Sequence, residues 1–157
     1  FPGMTIACFQ LRPESLGSVH IRSNDPNKHP AIRFNFLSDP TDVQTNIDGV
    51  KMMRKIVDAK PMDPYREEEF YPGKSVSSDD EIEHFLREEC ETGYHPMGTC
   101  RMGRGPNAVV DDQLKVHGLE GLRVADASIF PTMPSGNTNA PCIMVGEKAA
   151  DLIKNSY

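Results

Sequence analysis

Two loops of this chain carry residue types suited to acid–base chemistry. The first is Tyr94-His95-Pro96-Met97-Gly98-Thr99-Cys100-Arg101-Met102-Gly103, dense in glycine and polar groups and without periodicity. A histidine in such a loop can present its imidazole to a cleft, and imidazole chemistry suits proton transfer near neutrality. Most single histidines are surface or satisfied core residues, and the local sequence leaves both readings of His95 open. The second loop is Ser135-Gly136-Asn137-Thr138-Asn139-Ala140-Pro141, at the head of the last expected helix. Backbone N–H groups at a helix N-terminus, with the positive end of the dipole, suit developing negative charge. On pattern alone, helix capping by Asn139 is the simpler reading. His20, His29, His84 and His117 are read as surface residues, and Lys51, Arg54 and Lys55 as a solvated helix face.

These loops need elements to hold them. Residues 4–36 read as strands: Met4–Leu11 is β-prone, Gly17–Ser23 alternates with Val19 and Ile21 on one face, and Ala31–Phe36 follows the break at Asn24-Asp25-Pro26-Asn27. A half-buried antiparallel sheet is the expectation. Asp39-Pro40-Thr41 announces a helix on which Val43, Ile47, Val50, Met53 and Val57 recur at helical spacing, ended by Lys60-Pro61. Residues 61–77 are expected to be a long exposed connection. Ser78 with Glu81 forms a capping box before Ile82, Phe85 and Leu86. Leu122–Ser128 reads as a buried strand ending in polar residues, and the last helix starts near Asn139 and Pro141.

Composition narrows the class. The 157 residues suffice for one ordinary domain with a core. Thirteen Pro and twelve Gly point to a loop-rich course, and seven Phe, four Tyr and no Trp leave few large anchors, as if part of the core came from further chain. A net charge of -6 argues against nucleic acid, since no basic patch exists to displace counterions from phosphate. No apolar run approaches the roughly 18 residues of a membrane span. The start, Phe1-Pro2-Gly3-Met4, lacks the basic and apolar regions of a signal peptide and fits a segment of something longer. Cys8, Cys90, Cys100 and Cys142 are scattered, which speaks against zinc or a disulfide framework and for free thiols in a reducing compartment such as the cytoplasm.

The two loops belong to an ordered series: His95–Gly103, Ala108-Val109-Val110-Asp111, Val116–Ser128, Pro131-Thr132, Gly136–Pro141 and Gly146–Asp151. This series resembles the glucose–methanol–choline (GMC) family of flavoprotein oxidoreductases, and most closely its choline- and alcohol-dehydrogenase-like branch. Arg12-Pro13, Ser15, Gly17, Val19 and Asp25-Pro26 are similar to the family's substrate-domain sheet.

The resemblance implies an α+β fold, with an antiparallel substrate-domain sheet and packed helices plus the C-terminal strand and helix that complete an FAD-binding domain. It implies that residues 1–92 are a portion of the substrate-binding domain and residues 93–157 the catalytic loop and C-terminal FAD-domain segment. The activity implied is alcohol oxidation: a base takes the hydroxyl proton while the carbon-bound hydride moves to flavin N5. The base is His95 and its partner Asn139, whose amide holds the substrate oxygen. Asp126 and Ala127 match positions at the cofactor's ribityl–pyrophosphate region, Ala140 and Pro141 positions beside the flavin ring, and Tyr94 the substrate-pocket wall. The family's opening G-x-G-x-x-G is absent from these residues. The chain is therefore expected to need an N-terminal FAD-binding half as partner before it binds FAD tightly or oxidises a small-molecule alcohol. A hydroxynitrile lyase of the same fold and a non-catalytic assembly domain are the competing readings.

Overall fold

Residues 3–156 are described by a computed structural model. Two short strands, β1 (Ser18–His20) and β2 (Ala31–Arg33), pair as an antiparallel two-stranded sheet. Three helices follow in the chain: α1 (Pro40–Val57), α2 (Asp79–Glu89) and α3 (Asn139–Lys154). Short 3-10 helices lie at Lys60–Tyr65 and Ala127–Ile129. The chain divides into two compact units, one of Phe1–Gly17 with Ile32–Gly93, the other of Ser18–Ala31 with Tyr94–Tyr157. The fold is mixed helix and strand, as the sequence implies, with far less strand than it suggests.

The first unit is organised by α1 and α2. Asp39 caps α1 by accepting the Thr41 N–H at 2.8 Å, with Pro40 in the first turn, where a missing N–H costs nothing. Val43, Ile47 and Val50 then share one face and are buried with Leu37, Ile82 and Leu86. The capping box of α2 is complete: Ser78 Oγ accepts from Glu81 N–H, and Glu81 accepts from Ser78 N–H at 2.9 Å. Those backbone hydrogen bonds from Ser78 and Ser77 pull the Glu81 carboxyl down to about 2.

Met4–Leu11 is not a strand. Its anchor is a side chain: the buried Asp42 of α1 accepts from Gln10 Nε2 at 2.7 Å, Glu14 N–H at 2.9 Å and Ser15 N–H at 2.7 Å. Burial pushes this carboxyl up, but the hydrogen bonds from Glu14, Ser15 and Gln10 outweigh it and leave its pKa below the usual aspartate value. Val19 and Ile21 are also exposed, Ile21 lying beyond β1 and 88% exposed, so the expected half-buried strand face is not formed. Gly17, just before β1, passes so close to β2 that a Cβ would meet the Arg33 carbonyl oxygen at 2.3 Å. Strand β2 stops at Arg33, short of Phe36, because Asn35 and Leu37 turn the chain with φ of 57° and 53°.

The connection at 61–77 is likewise more ordered than its prolines suggest. Arg54 is half-buried rather than solvated: it is ion-paired with Glu69 at 2.8 Å and donates to the carbonyls of Val76 at 2.7 Å and Gly73 at 3.2 Å. All four cysteines are free and half-buried. Burial pushes the Cys8 and Cys90 thiols up.

In the second unit Val145, Ala149 and Leu152 repeat along one face of α3. The first two are buried with Val110, Leu114 and Ile129, and Leu152 packs against that cluster. No continuous strand forms over Leu122–Ser128. Arg123 makes an isolated bridge to Lys115, Val124 N–H reaches the Leu114 carbonyl at 3.1 Å, and Asp126 then caps the short 3-10 helix.

Candidate active site

His95 is held by a loop whose backbone is stitched to the Ala127–Ile129 turn. Gly98, Cys100 and Met102 N–H donate in succession to the carbonyls of Ala127, Ser128 and Ile129, at 3.3, 2.9 and 2.7 Å. Alternate residues of the loop are thereby tied down. The turn itself is set by Asp126, which accepts the Ser128 N–H at 2.8 Å. Gly98 makes the register possible: its φ is 82°, and a Cβ would lie 3.3 Å from the Phe130 carbonyl oxygen. Tyr94, immediately before His95, has a φ of 60° and is 78% exposed. A left-handed backbone at a bulky residue is unfavourable, and such conformations concentrate at functional sites.

The half-buried His95 ring reaches the head of α3. Its Nδ1 lies 3.2 Å from Thr138 Oγ1, joining the two loops singled out in the sequence. The bond goes to Thr138, not to Asn139. Asn139 is the first residue of α3 rather than its cap; Thr138 occupies the cap position, and its side chain makes no capping bond. The Cys142 N–H closes the first turn on the Thr138 carbonyl at 2.9 Å. Pro141 sits within this opening turn, where backbone N–H groups lack intrahelical partners and its ring is tolerated.

Hydrogen bonds thus link three separate stretches: residues 94–98, residues 126–127 and residues 138–141. Among the described residues, neither Nε2 of His95 nor the amide of Asn139 has a hydrogen-bond partner. Asn139, Ala140 and Asp126 are exposed, while Ala127 and Pro141 are half-buried. This arrangement offers one imidazole nitrogen and one amide near a helix start whose N–H groups carry partial positive charge. Such a set can accept a proton and hold an oxygen.

Thr138 is the site residue the sequence did not single out. Its position between two asparagines reads as turn chemistry, and only the fold shows its hydroxyl meeting a histidine 43 positions away. Of the histidines read as surface, His20, His29, His84 and His117 are exposed, although His117 Nε2 bonds the Gly103 carbonyl at 3.0 Å.

A family model described as GMC oxidoreductase matches residues 13–146. The oxygen-dependent choline dehydrogenase of Chromohalobacter salexigens is 47% identical over 144 residues, covering 92% of this chain and 26% of that protein. The alcohol dehydrogenase (acceptor) of Pseudomonas putida is 48% identical over 151 residues, covering 96% of this chain and 27% of that protein. Among solved structures, an FAD-dependent oxidoreductase from Chaetomium thermophilum superposes with a TM-score of 0.86 at 34% identity, over 93% of this chain and 26% of that one. Pyridoxine 4-oxidase from Mesorbium loti gives a TM-score of 0.85 at 33% identity, over 90% and 28%. The chain spans about a quarter of the length of the relatives it matches. Among the described residues no helix is long and apolar enough to cross a membrane.

Proposed function

This chain belongs to the GMC oxidoreductase family, and from that premise we propose that it is the C-terminal part of an FAD-dependent enzyme that oxidises CH–OH substrates. In this reading an N-terminal part of the longer protein supplies the adenosine site. Residues 1–92 contribute to the substrate-binding domain, and residues 93–157 carry the catalytic loop and complete the FAD-binding domain.

The residues fit such a cofactor. The start of α3 has no side-chain cap competing for its N–H groups, Ala140 is small and exposed, and a Cβ at Gly136 would meet nothing within 4 Å. Ala140 and Pro141 would lie beside the flavin ring, and Asp126 and Ala127 near the ribityl–pyrophosphate stretch. FAD, when bound, supplies the hydride acceptor. His95 takes the substrate's hydroxyl proton on Nε2, the nitrogen left unbonded by Thr138. Asn139 donates its amide N–H to the same oxygen, holding the alcohol in place and stabilising the negative charge that develops there. Tyr94 forms part of the substrate-pocket wall. A positioned base of this kind contributes about 100- to 10,000-fold in rate.

The observation that carries the reading is the 3.2 Å approach of His95 Nδ1 to Thr138 Oγ1, which brings an imidazole to the residue beside Asn139. The test is to purify the chain with and without an N-terminal FAD-binding half, incubate with FAD, desalt, and record the visible spectrum. The chain alone should lose the yellow. The pair should retain it and bleach anaerobically on addition of a primary alcohol such as choline. Retention of stoichiometric FAD by the chain alone would contradict the division of the binding site. A retained flavin that no alcohol bleaches would contradict the oxidoreductase reading and favour lyase chemistry.

A further inference from the structure

Thr138 stands at a position where a hydroxyl ordinarily accepts a backbone N–H of the helix it precedes. Here it makes no such bond. The residue is buried, at 8% exposure, its carbonyl is engaged by Cys142 N–H at 2.9 Å, and its hydroxyl oxygen faces His95 Nδ1 at 3.2 Å. The side chain is therefore held in place and directed at the imidazole instead of at the helix.

We propose that Thr138 is a positioning residue that fixes the protonation pattern of His95, accepting a hydrogen bond from Nδ1–H so that Nε2 carries the free lone pair. A neutral imidazole has a single N–H, and the bond made by one nitrogen sets which nitrogen bears it. With the proton on Nδ1, Nε2 is a base. With the proton on Nε2, that nitrogen can only donate, and a substrate hydroxyl facing it keeps its proton. A hydroxyl oxygen can accept from Nδ1–H before and after Nε2 is protonated, so the contact survives the transfer. Because Asn139 is the next residue, the same backbone anchor also sets the distance from the base to the group holding the substrate oxygen. The catalytic consequence rests on the proposed alcohol oxidation; the tautomer assignment does not.

The test uses the chain joined with its N-terminal half and FAD, in three forms: wild type, Thr138→Val and Thr138→Ser. Valine keeps the shape and removes the oxygen, and serine restores it. In protein with nitrogen-15 histidine, the wild-type His95 should show a protonated Nδ1 and an unprotonated Nε2, and the valine variant a mixture of both tautomers. Loss of one such hydrogen bond is expected to lower kcat by about ten-fold with KM nearly unchanged, and serine should recover most of it. A wild-type His95 protonated at Nε2, an unaltered tautomer in the valine variant, or a valine variant with wild-type kcat would each overturn the proposal. So would a serine variant as slow as valine, because the residue would then act by packing alone. If the wild-type protein oxidises no alcohol and yet the tautomer changes in Thr138→Val, the positioning role stands and the oxidoreductase reading falls.

Discussion

At the scale of the residue, the division of work proposed for His95 and Asn139 makes a specific demand. An imidazole nitrogen takes a proton, whereas a neutral amide does not, and its N–H can donate to the oxygen that loses one. Asn139 is expected to matter more in the transition state than in the ground state, because the charge it meets grows as the proton leaves. Asn139→Ala should therefore lower kcat by about 100-fold, with a smaller change in KM and with FAD still bound, as read by steady-state kinetics and the visible spectrum. A rise in KM alone would make Asn139 a binding residue only. The loops that carry His95 and Asn139 stand out in the sequence through an ordered series of motifs, and the fold brings His95 to the head of α3. Thr138 does not stand out. A threonine among asparagines signals a turn, and its hydroxyl acquires a partner only when the loop at 94–98 is laid against the head of α3.

At the scale of the element, the helices follow from local rules and the strands do not. Helix α1 has its cap at Asp39 and its apolar stripe at Val43, Ile47 and Val50, and α2 has the reciprocal bonds of Ser78 and Glu81. Each signal lies within a few residues and needs nothing distant. Met4–Leu11 has β-prone residues but no strand beside it, and the carboxylate of Asp42 organises the neighbouring Gln10–Ser15 stretch instead. Propensity without a pairing partner does not make a ladder. Similarly, a proline-rich connection after α1 becomes ordered because Arg54 reaches into it, a contact that spacing cannot reveal. Ile82 is fully buried between α1 and α2, so Ile82→Ala should cost about 3 kcal/mol in denaturant unfolding, against about 0.5 kcal/mol or less for the exposed Met52→Ala. The carboxyls of Glu81 and Asp42 lie below their usual values when folded. They therefore contribute stability fully above the unfolded carboxylate range, and that contribution is lost as pH falls. For Glu81 the window runs from its ordinary 4.5 down to about 2. Melting temperature should fall across this window, and less steeply in Glu81→Gln; equal slopes would show that the capping box does not contribute.

At the scale of the whole molecule, each unit has a small buried cluster and several exposed large apolar side chains. On α3, Ile143 is 60% exposed and Met144 53%, and elsewhere Phe9 and Phe70 are exposed by 66% and 79%. Under the proposed function such side chains would meet the further chain that relatives more than three times as long contain. The measurement that bears most directly on the account is anaerobic flavin reduction by alcohol, followed by stopped-flow absorbance, in the assembled FAD protein with wild-type His95 and with His95→Gln. Both proteins are expected to hold FAD, the wild type to bleach on mixing, and the glutamine variant to bleach at least about 100-fold more slowly. A His95→Gln protein that bleaches as fast as the wild type would contradict the assignment of His95 as the base.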